Sequence, residues 1–142
     1  MRNCQLVKIK ICHRHPNVAI ALFFVTLVSA LSCNAAPPII SQNDLLQELE
    51  EGSALLILDV RSEGEYRAGH IPQAINIPHY QLASRLGELS ATKDREIVTY
   101  CERGPRAGVA EDILLKAGFT AVRHLEGDMY SWRRNGLPIE IP

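Results

Sequence analysis

The stretch that decides the fold of this chain is 97-IVTYCERGPR-106. It completes an apolar strand predicted at Glu96–Tyr100, and a helix is predicted behind it at Ala107–Ala117, with Val109 among its inward-facing residues. Only the six residues Cys101–Arg106 remain to turn the chain from strand into helix. Ligands of open α/β sheets bind where strands end in this way, so a functional site is expected at this turn.

Strand and helix patterns alternate on both sides of the turn. Further strands are predicted at Ile39–Ile40, Ala54–Val60, Ala74–Ile77 and Ala121–Leu125. Helical patterns lie between Ser41 and Gly52, at Glu63–Ala68, at Gln81–Leu89 and around Trp132. Such alternation is typical of an α/β domain with a mostly parallel sheet flanked by helices. Because 142 residues accommodate one ordinary domain, we predict a single domain over residues 39–141.

The amino-terminal 35 residues have the pattern of a secretory signal. Val18–Leu31 is an uncharged run, too short for a bilayer span, and four basic residues but no acidic ones occur in residues 1–35. Small residues follow, so we predict cleavage after Ala35 and export to a bacterial periplasm, with membrane contact only through this leader. An uncleaved anchor and a lipoprotein attached through Cys33 are the alternatives.

The charge and the cysteine content limit the functions that the chain can have. The whole chain holds 15 basic and 16 acidic residues, which excludes a globally basic nucleic-acid binder. Three cysteines fall in the leader, so Cys101 is alone in the predicted mature chain and cannot form an internal disulfide there. It is a buried inert thiol, an intermolecular link or a reactive group.

The position of Cys101 favours a reactive group. A tight turn between strand and helix directs successive backbone N–H groups inward, and the helix that follows adds its positive dipole end. A cysteine in that field is stabilised as the thiolate, which is the nucleophilic form. Gly104 allows the curl, and Arg103 and Arg106 add positive charge for an anionic substrate. The candidate substrate-binding residues are therefore Glu102, Arg103, Gly104 and Arg106.

These motifs give the chain a specific resemblance to a known family. It resembles the rhodanese family, and in particular the small single-domain periplasmic thiosulfate sulfurtransferases. The matching stretches, in the family's order, are 59-DVR-61, 65-EY-66, 69-GHIPQAINIP-78, 97-IVTYC-101, Gly104, Arg106, 117-AGF-119, 125-LEG-127, Trp132 and 136-GLP-138. The resemblance implies a five-stranded parallel sheet between helices.

The resemblance also implies a reaction. Cys101 is expected to take the outer sulfur of thiosulfate as a persulfide, release sulfite, and pass the sulfur to cyanide or a thiol. Displacement at sulfur needs no metal, so neither a metal site nor a cofactor is expected. The chain departs from the family's common loop at Pro105, which has no N–H, and at Glu102, whose carboxylate disfavours anions. The family also shows Gly where Asp128 stands.

Several other polar and aromatic residues are interpreted as structural. Asp59 and Arg61 are expected to bond neighbouring loops, and His70 to make a satisfied polar contact in a turn. Tyr100 and Trp132 are expected to pack in the core.

Two other functions use a similar turn. A cysteine phosphatase or arsenate reductase would place five residues between Cys and Arg and a His before the Cys, whereas here four residues intervene and Tyr100 precedes. A sulfur carrier or partner-docking module needs the same loop as the enzyme, so the sequence leaves that alternative open.

Overall fold

The computed structural model describes residues 38–142, and the predicted leader at 1–35 lies outside them. Eleven elements follow one another in these residues. The strands are β1 (Ile39–Ile40), β2 (Leu56–Asp59), β3 (Ile75–Asn76), β4 (Ile97–Tyr100) and β5 (Val122–Leu125). The helices are α1 (Gln42–Glu50), α2 (Glu63–Arg67), α3 (His79–Arg85), a 3₁₀ helix at Leu86–Thr92, α4 (Pro105–Lys116) and α5 (Asp128–Arg134).

The five strands form one parallel sheet in the order β1-β5-β4-β2-β3. Strand β4 lies at its centre and pairs with β2 and β5, so the residues after Tyr100 emerge in the middle of the carboxyl edge. The predicted α/β class and mostly parallel sheet are confirmed, as is the edge strand at Ile39–Ile40.

Alternating residues of the strands divide the core between the two faces of the sheet. Leu58 and Ile97 pack on one face with Leu114 of α4. Ile57 and Val98 pack on the other face, where the buried side chains also include Ile40, Leu45, Leu125, Met129 and Trp132. The period of two along each strand therefore produces two apolar layers with the sheet between them.

Helix α4 begins two residues earlier than predicted, so the turn that holds the candidate site is shorter. The helix begins at Pro105 rather than Ala107 because proline's restricted φ and missing N–H suit the first helical position. Gly104 precedes it with φ of 102°, a conformation that favours glycine. The turn proper is therefore Cys101–Gly104, and Arg106 belongs to the first turn of α4. The prediction that Val109 faces inward is wrong, since it is 50% exposed.

The helix predicted at Gln81–Leu89 is divided. Helix α3 begins earlier, at His79, and gives way to the 3₁₀ helix at Leu86. Leu86 and Leu89 are three residues apart, which is the repeat of a 3₁₀ helix, so both can face the core there. In the described part of the chain, no helix has the length and apolar content needed to cross a membrane.

Candidate active site

Cys101 is the first residue after β4, and the turn folds back over its sulfur. The N–H of Gly104 donates to Cys101 Sγ at an N–S distance of 3.1 Å. Within residues 38–142 the thiol has no disulfide partner, and the residue is only 1% exposed, with Ala107 and Val60 in the same buried cluster. The amide and the beginning of α4 thus supply partial positive charge at a sulfur that is shielded from water.

The positive φ of Gly104, rather than lack of space, favours glycine at this position. A Cβ there would lie 3.4 Å from Oδ2 of Asp128 and 3.9 Å from Nε2 of His124, which are ordinary contact distances. Another residue would therefore be strained by the backbone conformation. The predicted role of Gly104 in the curl agrees with this geometry.

Arg106 reaches the site but does not stand free. Its Nη1 and Nη2 donate to the two carboxylate oxygens of Glu65 at 2.7 and 2.8 Å. These bonds raise the pKa of Arg106 above its usual value, burial opposes the rise, and the charges of Glu65 and Cys101 add to it. The same pairing holds the pKa of the Glu65 carboxyl far below its usual range. Arg106 is therefore a fixed cation beside Cys101.

Glu65 owes its position to the start of α2. Its Oε2 accepts from the backbone N–H of Ser62 at 3.0 Å, while Ser62 Oγ accepts from the N–H of Glu65 at 3.3 Å. This reciprocal capping box orients the carboxylate that Arg106 binds. Glu65 belongs to the motif stretches but was not predicted as a site residue.

The other charged residues of the turn contact neighbouring elements. Glu102 pairs with Arg133 of α5 and lies 3.9 Å from Nη1 of Arg61. Arg103 is exposed, and its guanidinium stacks on the ring of Tyr130 at 3.8 Å. Of the four predicted substrate-binding residues, Gly104 and Arg106 meet at Cys101 in this arrangement, whereas Glu102 and Arg103 contact α5.

A buried ion pair supports the carboxyl edge of the sheet beside the turn. Arg61 donates from Nη2 to Asp59 Oδ2 at 2.6 Å and to the carbonyl oxygen of Gly69 at 2.9 Å. Both charged side chains are fully buried. Burial disfavours the charge of Arg61, but the hydrogen bond and charge of Asp59 outweigh it and raise its pKa. The bonding role predicted for these two residues agrees with these contacts.

The remaining structural predictions have the expected contacts. His70 Nδ1 lies 3.1 Å from the carbonyl oxygen of Tyr66, and its ring stacks on the Tyr66 ring. Tyr100 is buried and its hydroxyl accepts from the N–H of Ile71 at 3.2 Å. Trp132 is buried and donates to the carbonyl oxygen of Pro138 at 2.7 Å.

Sequence reasoning missed three polar residues below the turn, namely Asp128, His124 and Glu111. They form a connected group that reaches the backbone of Cys101. One signal was available: Glu111 falls in the apolar stripe of α4 formed by Ala107, Ala110 and Leu114, where a carboxylate needs a partner. Among residues 38–142, no cluster of three or more His, Cys, Asp or Glu side chains is arranged to hold a metal ion.

Comparison with known proteins places this turn in a family. The model of the rhodanese-like domain matches residues 41–135. The chain belongs to the rhodanese family. A sulfurtransferase of Allochromatium vinosum is 35% identical over 103 residues, which cover 72% of this chain and 94% of that protein. Together, the family and this relative support sulfur transfer in general.

Two further relatives show the contexts in which the domain occurs. The HTH-type transcriptional regulator Rv0324 of Mycobacterium tuberculosis is 47% identical over 104 residues, which cover 71% of this chain but only 44% of that protein. The solved rhodanese-like domain of an Anabaena protein is 34% identical with a TM-score of 0.66, covering 74% of this chain and 80% of that one. The chain therefore spans less than half of one relative and most of the others named here.

Proposed function

We propose that this rhodanese transfers sulfane sulfur from thiosulfate to cyanide or a thiol through a persulfide on Cys101. The observation that carries the proposal is the 3.1 Å contact from the Gly104 N–H to Cys101 Sγ at the start of α4. An amide donor and a helix start favour a negatively charged sulfur over a neutral thiol.

The reaction has two displacements at sulfur. The Cys101 thiolate attacks the outer sulfur of thiosulfate, so that a new S–S bond forms while the bond to the sulfonate sulfur breaks and sulfite leaves with the electron pair. Cyanide or an acceptor thiolate then attacks the outer persulfide sulfur, and the Cys101 thiolate leaves. No proton needs to be removed if the thiol is already ionised, so the site does not require a general base.

The charged groups around the sulfur fit a small anion. Backbone amides spread their stabilisation over the donor and the persulfide, and Arg106 supplies a full charge beside them. Glu65 neutralises part of that charge, which limits how tightly a dianion is held and helps sulfite to leave. The carboxylate of Glu102 is paired with Arg133 of α5, which offsets its repulsion of an anionic donor.

Access to Cys101 needs movement of side chains because the residue is only 1% exposed. The side chains of Arg106 and Glu65 are 30% and 35% exposed, so they can exchange partners with little rearrangement of the core. We propose that the donor enters by taking the place of Glu65 on Arg106.

The test is thiocyanate production from thiosulfate and cyanide by the full chain, compared with Cys101→Ser. The native protein should turn over and the variant should not. Intact mass after thiosulfate treatment should show one added sulfur, which peptide mapping should locate on Cys101. A variant with Cys4, Cys12 and Cys33 all changed to Ser is the matched control, because it removes three thiols but keeps Cys101. Equal rates for the native protein and Cys101→Ser would refute the proposal.

A sulfur carrier that receives its sulfur from a protein would use the same Cys101 chemistry. It would form the persulfide with a protein donor, but produce thiocyanate no faster than Cys101→Ser. That result would indicate a protein donor in place of thiosulfate, with the persulfide still formed on Cys101.

For location, we propose that residues 1–35 direct export to the periplasm and are removed. Amino-terminal sequencing of protein recovered from a bacterial periplasm should then begin at Ala36. Retention of Met1 on membrane-bound protein would indicate an anchor instead.

A further inference from the structure

Asp128 has a backbone conformation that calls for an explanation. It is one of two non-glycine residues with positive φ in the described part of the chain, at 54°, and it follows Gly127 at 70°. Such conformations are uncommon for residues other than glycine and persist where the surroundings hold them. Its side chain is buried, so the strain serves contacts inside the protein.

Those contacts hold the backbone of the Cys101 turn. Asp128 Oδ1 accepts from the N–H of Cys101 at 2.7 Å. The next two residues complete the attachment, since the N–H of Met129 donates to the carbonyl oxygen of Cys101 and that of Tyr130 to the carbonyl oxygen of Glu102, both at 3.1 Å. The beginning of α5 therefore fixes both backbone polar groups of Cys101.

The carboxylate of Asp128 is held in turn by His124. Nε2 of His124 lies 3.2 Å from Asp128 Oδ2, and its Nδ1 lies 2.5 Å from Oε1 of Glu111. Thr99 of β4 donates to the same Glu111 oxygen at 2.6 Å. One group thus joins β4, α4, β5 and α5, and α4 and α5 both meet the turn.

The imidazole of His124 lies between the carboxylates of Asp128 and Glu111. Hydrogen bonds to Asp128 and then to Glu111 raise the pKa of His124 to about 10 against the effect of burial, so it is a cation at neutral pH. Without that cation, the negative charge of the two buried carboxylates would be uncompensated next to the turn that holds the Cys101 sulfur, which would oppose ionisation of the thiol.

We propose that Asp128, held by the His124–Glu111 pair, is a positioning residue that fixes the Cys101 backbone so that the sulfur meets the Gly104 amide. The inference rests on the proposed function, because it assigns the residue to the placement of the sulfur that accepts the transferred atom. Asp128 contacts the backbone and not the sulfur, so it acts through Cys101.

The test uses the full chain with Cys4, Cys12 and Cys33 changed to Ser, so that alkylation by iodoacetamide reports Cys101 alone. Three variants are compared in that background. Asp128→Gly removes the carboxylate while accepting the positive φ, Asp128→Asn keeps an oxygen that can accept from the Cys101 N–H, and His124→Gln removes the cation. Glu126→Ala is the matched control, since it deletes an exposed carboxylate two residues before Asp128.

Asp128→Gly introduces the residue that the family shows at this position, but in this chain it leaves the Cys101 N–H without its acceptor and His124 without one of its carboxylate partners. We therefore expect it to lower kcat for thiocyanate formation by roughly 10- to 100-fold with little change in KM, because the reacting sulfur is misplaced rather than the donor site lost. Asp128→Asn should recover most of that loss. His124→Gln should move the midpoint of the alkylation rate against pH upward, since it removes positive charge near the sulfur. Glu126→Ala should match the parent in each measurement.

Activity of Asp128→Gly within twofold of Glu126→Ala would overturn the inference, and so would an Asp128→Asn variant as slow as Asp128→Gly. If Asp128→Gly failed to fold, His124→Gln would decide, since it removes the group that holds the Asp128 carboxylate. A kcat within twofold of Glu126→Ala together with an unchanged pH midpoint would then overturn the inference. Failure of the proposed function has a different signature: the parent would form no thiocyanate, while the differences in alkylation between the variants remained.

Discussion

Arg106 and Glu65 face each other as a two-bond ion pair across the Cys101 turn, although 41 positions separate them in the chain. The guanidinium that the structure places beside the sulfur is therefore already paired with a carboxylate. An incoming dianion must compete with Glu65 for it. This competition makes Glu65 a determinant of donor affinity.

Glu65→Gln should therefore lower KM for thiosulfate. Glutamine preserves the capping box of α2 but does not bind the guanidinium as an anion, so Arg106 is freed for the donor. Because the pair is partly exposed, we expect a decrease of about two- to fivefold in KM. Glu63→Gln, which alters a carboxylate of the same helix that pairs with Arg67, is the control. An unchanged or raised KM would show that Arg106 does not bind the donor.

Removal of the Glu102 charge should increase the long-range electrostatic attraction between thiosulfate and the surface beside the turn. Glu102→Gln would free Arg133 and leave Arg61 without its second carboxylate, which makes the surface beside the turn more positive. We expect kcat/KM for thiosulfate to rise by about two- to threefold at low salt and the gain to vanish near 1 M salt, where the Debye length is about 3 Å. A gain that persisted at high salt would indicate a changed loop conformation instead.

The buried pair of Asp59 and Arg61 should be essential for stability. Asp59→Asn leaves a buried guanidinium without its counter-charge, so the free energy of unfolding in urea should fall by about 3–5 kcal/mol. The double variant Asp59→Asn with Arg61→Met should recover much of the loss, because it removes the uncompensated charge as well. A loss below about 1 kcal/mol for Asp59→Asn would contradict burial of the pair.

The protonation of His124 should make stability depend on pH above neutrality. Its pKa is raised from 6.5 to about 10 in the folded protein by Asp128 and Glu111. Protonated His124 therefore contributes its full stabilisation of the fold below about pH 6.5, and this contribution is lost as the pH rises to 10. Over that range the free energy of unfolding should fall by at most about 1.4 kcal/mol per pH unit. Urea unfolding at pH 6, 8 and 10 should show this decline in the native protein relative to His124→Gln. Parallel curves for the two proteins would exclude a charged His124.

Much of the fold could be predicted from short stretches. The apolar runs of β2 and β4 and the helix stripe of Ala107, Ala110 and Leu114 follow from local periodicity. Errors occurred at element ends, as at Pro105, where the helix begins two residues earlier than its apolar stripe. The inward orientation predicted for Val109 is wrong because an apolar side chain does not by itself show which face of its helix packs against the core.

Local residue patterns are sufficient to predict the alternation of strands and helices and the position of Cys101 at a strand end before a helix. Periodicity, glycine and proline act on the backbone within a few residues, so these features can be read locally. The long-range pairings appear only in the folded chain: Glu65 binds Arg106, Glu102 pairs with Arg133 of α5, and Asp128 accepts from the Cys101 N–H 27 positions away. Those pairings depend on which helices the sheet order brings together, and a charged side chain carries no local mark of its distant partner.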